Sequence, residues 1–207
     1  MAAYIFDCER MKYSNTGLYN YCKNLGLHLQ KHIEPTRESI AYFCPPGGEI
    51  FGSHTYIKQS SLQKFYLPSL KGYNLWHATY QNSDYVPFRN KMIKVVLTIH
   101  DLNFIYNEGK SASKKNKYLK NLQRLIDRSS AIVCVSEYSK KDVEFYCELK
   151  GKPLTVIHNG TNTLKEPILN AGSYKPAKPF LFSLGVVTRL KNFHSLLPLV
   201  RQNADME

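Results

Sequence analysis

KVVLTIHD, residues 94–101, is an apolar run that ends on a histidine and an aspartate. Three other segments repeat its form. AIVCVSEYS at 131–139, LTVIHNG at 154–160 and FLFSLG at 180–185 each carry a strand-like run into a small or polar tip. Strands of this kind, separated by helix-length segments, predict an α/β protein with a Rossmann-like, doubly wound, mostly parallel sheet. In such a sheet the residues just past the carboxyl ends of the strands line the ligand crevice, so chemistry is expected at the four tips.

Toward the N-terminus, Ala3–Phe6 reads as a strand ending at Asp7. The turn-rich stretch Tyr13-Ser14-Asn15-Thr16-Gly17 leads into a helix from Leu18 to Gln30, which makes a βα opening. Ile40–Phe43 is a second strand, stopped by Cys44-Pro45-Pro46-Gly47-Gly48. The pattern from there to about Leu70 does not order itself. Tyr73–Trp76 is a short strand with His77 at its tip, followed by the polar loop Ala78–Arg89. After Val135 a helix has two candidate starts, the capping box Ser139-Lys140-Lys141-Asp142 or Ser136 as cap.

Between Thr161 and Pro179 the chain carries Pro167, Pro176 and Pro179 and loses periodicity, which reads as a linker. A second βα unit is expected after it, with a strand at Phe180–Leu184 and a helix at Phe193–Val200 interrupted near Pro198. The expected organisation is a domain over 1–172, a linker over 173–179 and the first strand and helix of a second domain over 180–207. One βα unit cannot cover both faces of a sheet, so that second domain is expected to be truncated.

Composition narrows the class. With 207 residues and 43% hydrophobic content the chain can bury one full core. Its apolar runs are far shorter than the ~20 residues a membrane span requires, and the start MAAYIFDCER lacks a basic-then-apolar leader. Cys8, Cys22, Cys44, Cys134 and Cys147 have no metal-type spacing and read as inert thiols in a reduced, cytoplasmic setting.

The net charge of +12 is concentrated in one place. Between Lys110 and Arg128, seven basic residues face the single acid Asp127, so one short segment carries half the total. Tyr118, Leu119, Leu122, Leu125 and Ile126 recur there at helical spacing, giving an amphipathic helix over 111–126 with a basic outer face. That face reads either as a solvated surface or as attraction to an anionic membrane, worth about 1 kcal/mol per basic residue. No nucleic-acid motif accompanies it.

IFDCERMKYSNTGLYNY, WHATYQNSDYVPF, LTIHDLNFIYN, AIVCVSEYSKKDV, LTVIHNGTN and FLFSLGVVTRLKNF, in that order from Asp7 to Lys191, resemble the retaining GT-B glycosyltransferases of family 4. The resemblance implies two Rossmann-like domains facing a cleft, with the N-terminal one binding the acceptor and the C-terminal one holding a nucleoside-diphosphate sugar. It implies no metal and no cofactor beyond that donor.

The same resemblance assigns roles. Gly17 matches a small residue beside the donor diphosphate, where a side chain would block backbone approach; the alternative is an ordinary turn glycine. His100 matches a histidine that faces the transferred sugar and hydrogen-bonds a hydroxyl or the developing charge. Asp101 is expected to fix the loop or that histidine, and His77 is an acceptor-side candidate. Ser136, Glu137 and Ser139 match a segment where helix capping competes with cleft contacts. Asn159 and Gly160 match a turn at the hinge side of the cleft. Gly185 opens the second domain's first loop, and Lys191 matches a lysine that meets the donor diphosphate.

Where members often carry an arginine, this chain has Val186 and Leu190, with Arg189 shifted; two donor-holding glutamates spaced eight apart are expected beyond Glu207. The expected function is transfer of a sugar to a glycan or lipid-linked acceptor in cell-surface polysaccharide or lipopolysaccharide synthesis. It would take place on the cytoplasmic side of a membrane, and this chain would be inactive alone. The alternative is a non-catalytic basic α/β module that binds anionic membrane or polymer.

Overall fold

The computed structural model describes residues 1–161, 176–185, 187, 189–203 and 205 of the chain. It divides into two compact units, Met1–Gly160 and Thr161–Glu207. The expected boundary at 172 and 173 falls outside the described residues.

In the first unit seven strands form one sheet: β1 (Ala2–Asp7), β2 (Glu38–Cys44), β3 (Thr55–Lys58), β4 (Leu75–Ala78), β5 (Lys94–Ile99), β6 (Ala131–Cys134) and β7 (Leu154–Val156). Their order is β3-β2-β1-β4-β5-β6-β7, and every pairing is parallel. The four helices are α1 (Gly17–His32), the short α2 (Asn103–Tyr106), α3 (Ala112–Arg128) and α4 (Glu137–Tyr146). The expected parallel α/β architecture is therefore present, with β3 emerging from the region the pattern left unordered.

Both faces of the sheet are covered, and the period-2 alternation of strand side chains divides the core accordingly. Ile5, Phe43, Trp76, Val95, Leu97 and Ile99 pack with Leu122, Leu125 and Ile126 of α3 and Val143 of α4. Phe6, Ile40, Tyr42 and Cys44, from the alternate positions, form a second cluster with Cys22 of α1 and with Phe51. The Tyr42 hydroxyl donates to the Gly26 carbonyl at 3.0 Å, and a Cβ on Gly26 would lie 2.5 Å from the Phe51 ring. Glycine at that helical position lets α1 approach the sheet closely.

Three local expectations are corrected. β4 begins at Leu75, so His77 lies inside the strand, paired across to Phe6 and Val96, and Thr79 follows its end. Ser136, not Ser139, caps α4: its side chain accepts from the Ser139 N–H at 3.1 Å, and Ser139 stands in the first turn, buried. In the second unit, Phe180–Leu184 is exposed and forms no strand. A strand exists only through ladder hydrogen bonds to a neighbour, and no described residue there supplies one.

Among the described residues of that unit there follow two 3₁₀ turns, Arg189–Lys191 and Phe193–Ser195, and then α5 (Leu196–Gln202). Pro198 sits in the first turn of α5, where its missing N–H removes no intrahelical bond. It therefore starts this helix and does not interrupt it.

Candidate functional site

The strand order reverses between β1 and β4. The carboxyl ends of strands at such a reversal splay apart and leave a crevice. Thr79 ties the two strands together there: its hydroxyl donates to the Asp7 carbonyl at 2.7 Å and meets the Cys22 thiol of α1 at 3.4 Å.

His100, just past β5, leans toward this point. Its ring Nε2 is 3.0 Å from the Thr79 carbonyl, its backbone N–H donates to Gln81 Oε1 at 3.1 Å, and Tyr21 of α1 meets the ring edge-on at 4.7 Å between centroids. A carbonyl can only accept, so Nε2 carries the proton and Nδ1 presents a lone pair, unpartnered among the described residues. Burial lowers the proton affinity of the ring, the Thr79 bond and Asp101 oppose that, and the Arg10 charge adds to it. The net lowering keeps the imidazole neutral at neutral pH, fit to accept a hydroxyl hydrogen and unfit to serve as a fixed cation.

Asp101 acts on its loop. Its Oδ1 accepts the Asn103 N–H at 3.1 Å and its carbonyl accepts Gln81 Nε2 at 3.0 Å. It also lines a cavity of about 190 Å³ together with Tyr80, Asn82, Phe104, Lys110 and Tyr118. Ser136 and Ser139 reach the same histidine from below: Ser136 Oγ donates to Ser139 Oγ at 3.0 Å, and Ser139 Oγ donates to the His100 carbonyl at 2.7 Å. The cap of α4 thus anchors the His100 backbone.

Gly17 opens α1, with Thr16 as cap accepting the Tyr19 N–H at 3.2 Å. A Cβ built on Gly17 meets nothing within 4 Å, and its φ is not in the left-handed region. Neither turn geometry nor packing requires glycine there.

His77 belongs to different surroundings. Its Nε2 pairs with the Thr98 hydroxyl at 2.8 Å, Phe6 packs on its ring, and it lines a cavity of about 370 Å³ with Leu29, His32 and Ile33 from the C-terminal end of α1. Burial, then the nearby His100, drive its pKa down to about 4. Asn159 and Gly160 are exposed beyond β7, and Gly160 too lacks a positive φ. Gly185, Arg189 and Lys191 lie on the second unit. Gly185 holds a φ of 144° that only glycine adopts readily, and Arg189 and Lys191 share one exposed 3₁₀ turn.

Sequence reasoning missed Arg10, Tyr21, Thr79 and Gln81. The last two sat in a loop read only as polar, although they directly follow β4. At the tip of β1, Asp7 and Glu9 are both buried, with Ser83 Oγ 3.1 Å from Asp7 Oδ2 and 2.9 Å from Glu9 Oε2. Burial, reinforced by Glu9, holds the Asp7 carboxyl well above its usual range. Among the described residues, no group of three histidine, cysteine or acidic side chains is placed to hold a metal ion, and no helix is long and apolar enough to cross a membrane.

On α3 the basic face is narrower than the sequence suggests. Arg128 is spent on the carbonyls of Pro87, Asn90 and Ile93 at 2.6–2.8 Å, and Asp127 pairs with Lys150 at 2.9 Å. Lys114, Lys117 and Lys120 stay exposed, with no carboxylate partner among the described residues.

Comparison with known proteins agrees with this architecture. No curated protein sequence matches the chain. The family model described as Glycosyltransferase Family 4 matches residues 40–164, more than half of the chain, running from β2 past β7 and covering His77, His100, Asp101, Ser136, Ser139, Asn159 and Gly160. The first βα unit with Gly17, and everything after residue 164, lie outside the match. A seven-stranded parallel sheet with its polar tips at the strand reversal, carrying this family's sequence pattern, makes the chain a member of glycosyltransferase family 4, a retaining family.

Proposed function

We propose that the first unit is the acceptor-side half of a retaining GT-B glycosyltransferase that takes a nucleoside-diphosphate sugar and a glycan or lipid-linked acceptor of cell-surface polysaccharide or lipopolysaccharide synthesis. The observation that carries this reading is His100, a neutral imidazole fixed at the strand reversal by Thr79 and Tyr21, with Nδ1 unpartnered among the described residues. In this role Nδ1 accepts a hydroxyl of the transferred sugar and sets its orientation. The open N-terminus of α1 at Gly17 offers unpaired backbone N–H groups to phosphate oxygens. Lys191 and Arg189 supply cations for the leaving diphosphate, where charge grows as the sugar–oxygen bond breaks. The acceptor hydroxyl oxygen attacks on the face the diphosphate leaves and gives its proton to the departing diphosphate oxygen, which retains configuration.

Lys114, Lys117 and Lys120 give α3 the charge to rest on an anionic membrane surface at the cytoplasmic side, where a lipid-linked acceptor resides. The test is incubation of the protein joined to a complete donor-binding domain, since the chain alone is expected to be inactive, with a panel of nucleoside-diphosphate sugars, read by release of free nucleotide. Release with at least one donor, reduced in H100A, is expected. Release with none of them, or release indifferent to H100A, overturns the reading.

A further inference from the structure

Arg10 occupies the 3₁₀ turn Glu9–Lys12 that follows β1, beside the strand reversal. Its guanidinium carbon stands 4.6 Å from the centroid of the Tyr13 ring and 4.3 Å from that of Tyr80. Lys12, in the same turn, has a carboxylate partner, Glu9 Oε1 at 3.5 Å. Arg10 has none among the described residues, and its Nε is buried without a hydrogen-bond partner.

A guanidinium stays charged at any physiological pH and carries five N–H donors in a planar fork that fits paired oxygens. Tyrosine faces compensate part of its charge and restrict its orientation. They do not satisfy its in-plane donors, and a buried donor left unmade is costly. Two rings therefore hold a cation in place while its hydrogen bonds remain unfilled. Its charge is also felt at His100, so it belongs to the same pole of the sheet.

We propose that Arg10 is an anion receptor of this site and binds the phosphate or carboxylate oxygens of a substrate, with Tyr13 and Tyr80 as the clamp that orients its fork. The inference rests on the sugar-transfer reading for the substrate's place, and it adds that the substrate presents an anionic group on the β1 side. Two sources share that chemistry: the diphosphate of the donor and an acidic group on the acceptor.

Calorimetric titration of the intact chain separates them, with inorganic pyrophosphate standing for the first, glucuronate for the second and glucose as the uncharged control. Saturable binding of one or both anions is expected, weakened at least tenfold in R10Q, with glucose indifferent to the substitution. R10K keeps the charge and loses the fork, so intermediate weakening is expected, and it serves as the second variant if R10Q melts early by circular dichroism. Loss of pyrophosphate binding assigns the donor, and loss of glucuronate binding assigns the acceptor. If neither anion binds, or both variants bind as the parent does, the proposal is wrong. Anion binding is read without turnover, so failure of the nucleotide-release test and failure at Arg10 are distinguishable.

Discussion

The Nε2 of His100 lies 3.0 Å from the carbonyl oxygen of Thr79, so the histidine at the end of one strand is locked to the end of its neighbour at the point where strand order reverses. Loss of this bond in H100A should cost about 1 kcal/mol of stability, and loss of the Nδ1 acceptor should slow sugar transfer about tenfold. Urea unfolding and turnover read the two effects separately. A turnover defect no larger than the loss of folded protein would assign His100 a purely structural role.

At Gly17 stability and function should part. Since a Cβ there meets nothing and the backbone is not left-handed, G17A should hold or raise stability by up to about 1 kcal/mol, by reducing the freedom of the unfolded chain. The same methyl lies where phosphate oxygens would approach the α1 N-terminus, so pyrophosphate binding should weaken several-fold. Unchanged binding in G17A would place the phosphate elsewhere.

His77 makes the fold sensitive to acid. Its folded pKa of about 4 lies below the ordinary value of 6.5, so the folded chain binds fewer protons between those limits. Its contribution is full above about 6.5 and is lost as the pH falls toward 4. Between pH 7 and pH 5 the urea midpoint should fall by the equivalent of about 1 kcal/mol after allowance for solvent screening. H77Q, which can still pair with Thr98, should flatten that slope; an unchanged slope would refute the assignment.

Asp7 carries the opposite sign. Its raised pKa means the folded chain holds a proton that the unfolded chain gives up, so its contribution is full in acid below the ordinary carboxylate value and is lost as pH rises from there through the raised folded value. The single Ser83 hydrogen cannot serve both Asp7 and Glu9, and a protonated Asp7 resolves the conflict by donating. An amide mimics that protonated acid. D7N should be at least as stable as the parent at pH 8, with its advantage shrinking toward pH 4, whereas D7A should lose about 1–3 kcal/mol by leaving the Glu9 N–H unpaired. Destabilised D7N at pH 8 would show that Asp7 is ionised in the fold.

For α3, the triple substitution of Lys114, Lys117 and Lys120 by glutamine removes about 3 kcal/mol of attraction to anionic lipid, so sedimentation with phosphatidylserine vesicles should fall about a hundredfold in affinity. Arg128→Gln should instead lower the melting temperature, because its guanidinium holds three loop carbonyls. Vesicle binding that survives high salt would contradict an electrostatic surface.

Much of this was legible in the chain. The runs at 94–101 and 131–139 are largely apolar on consecutive residues, as strands covered on both faces must be, and they became β5 and β6, while the run at 154–160 became the edge strand β7. The run at 180–185 has the same composition and no strand, because strand formation needs a paired neighbour as well as a suitable sequence. His77 was placed one step too late in its strand because Leu75–Ala78 is short and the Asn74 carbonyl is recruited by Lys94, a contact remote in sequence.

The sequence by itself determined the layer architecture, the basic helix and the identity of the polar tips, since periodicity, charge spacing and strand-end residues are local properties. Only the tertiary structure decided which tips meet. Thr79 faces Asp7 across 72 residues and His100 across 21. Ser139 turned from a cap into a tether for His100, Arg128 left the basic face for loop carbonyls, and Arg10 came to rest on Tyr80 with no counter-ion among the described residues. The reason is geometric: hydrogen bonding and charge compensation act between neighbours in space, and parallel crossovers bring together residues that the chain keeps far apart.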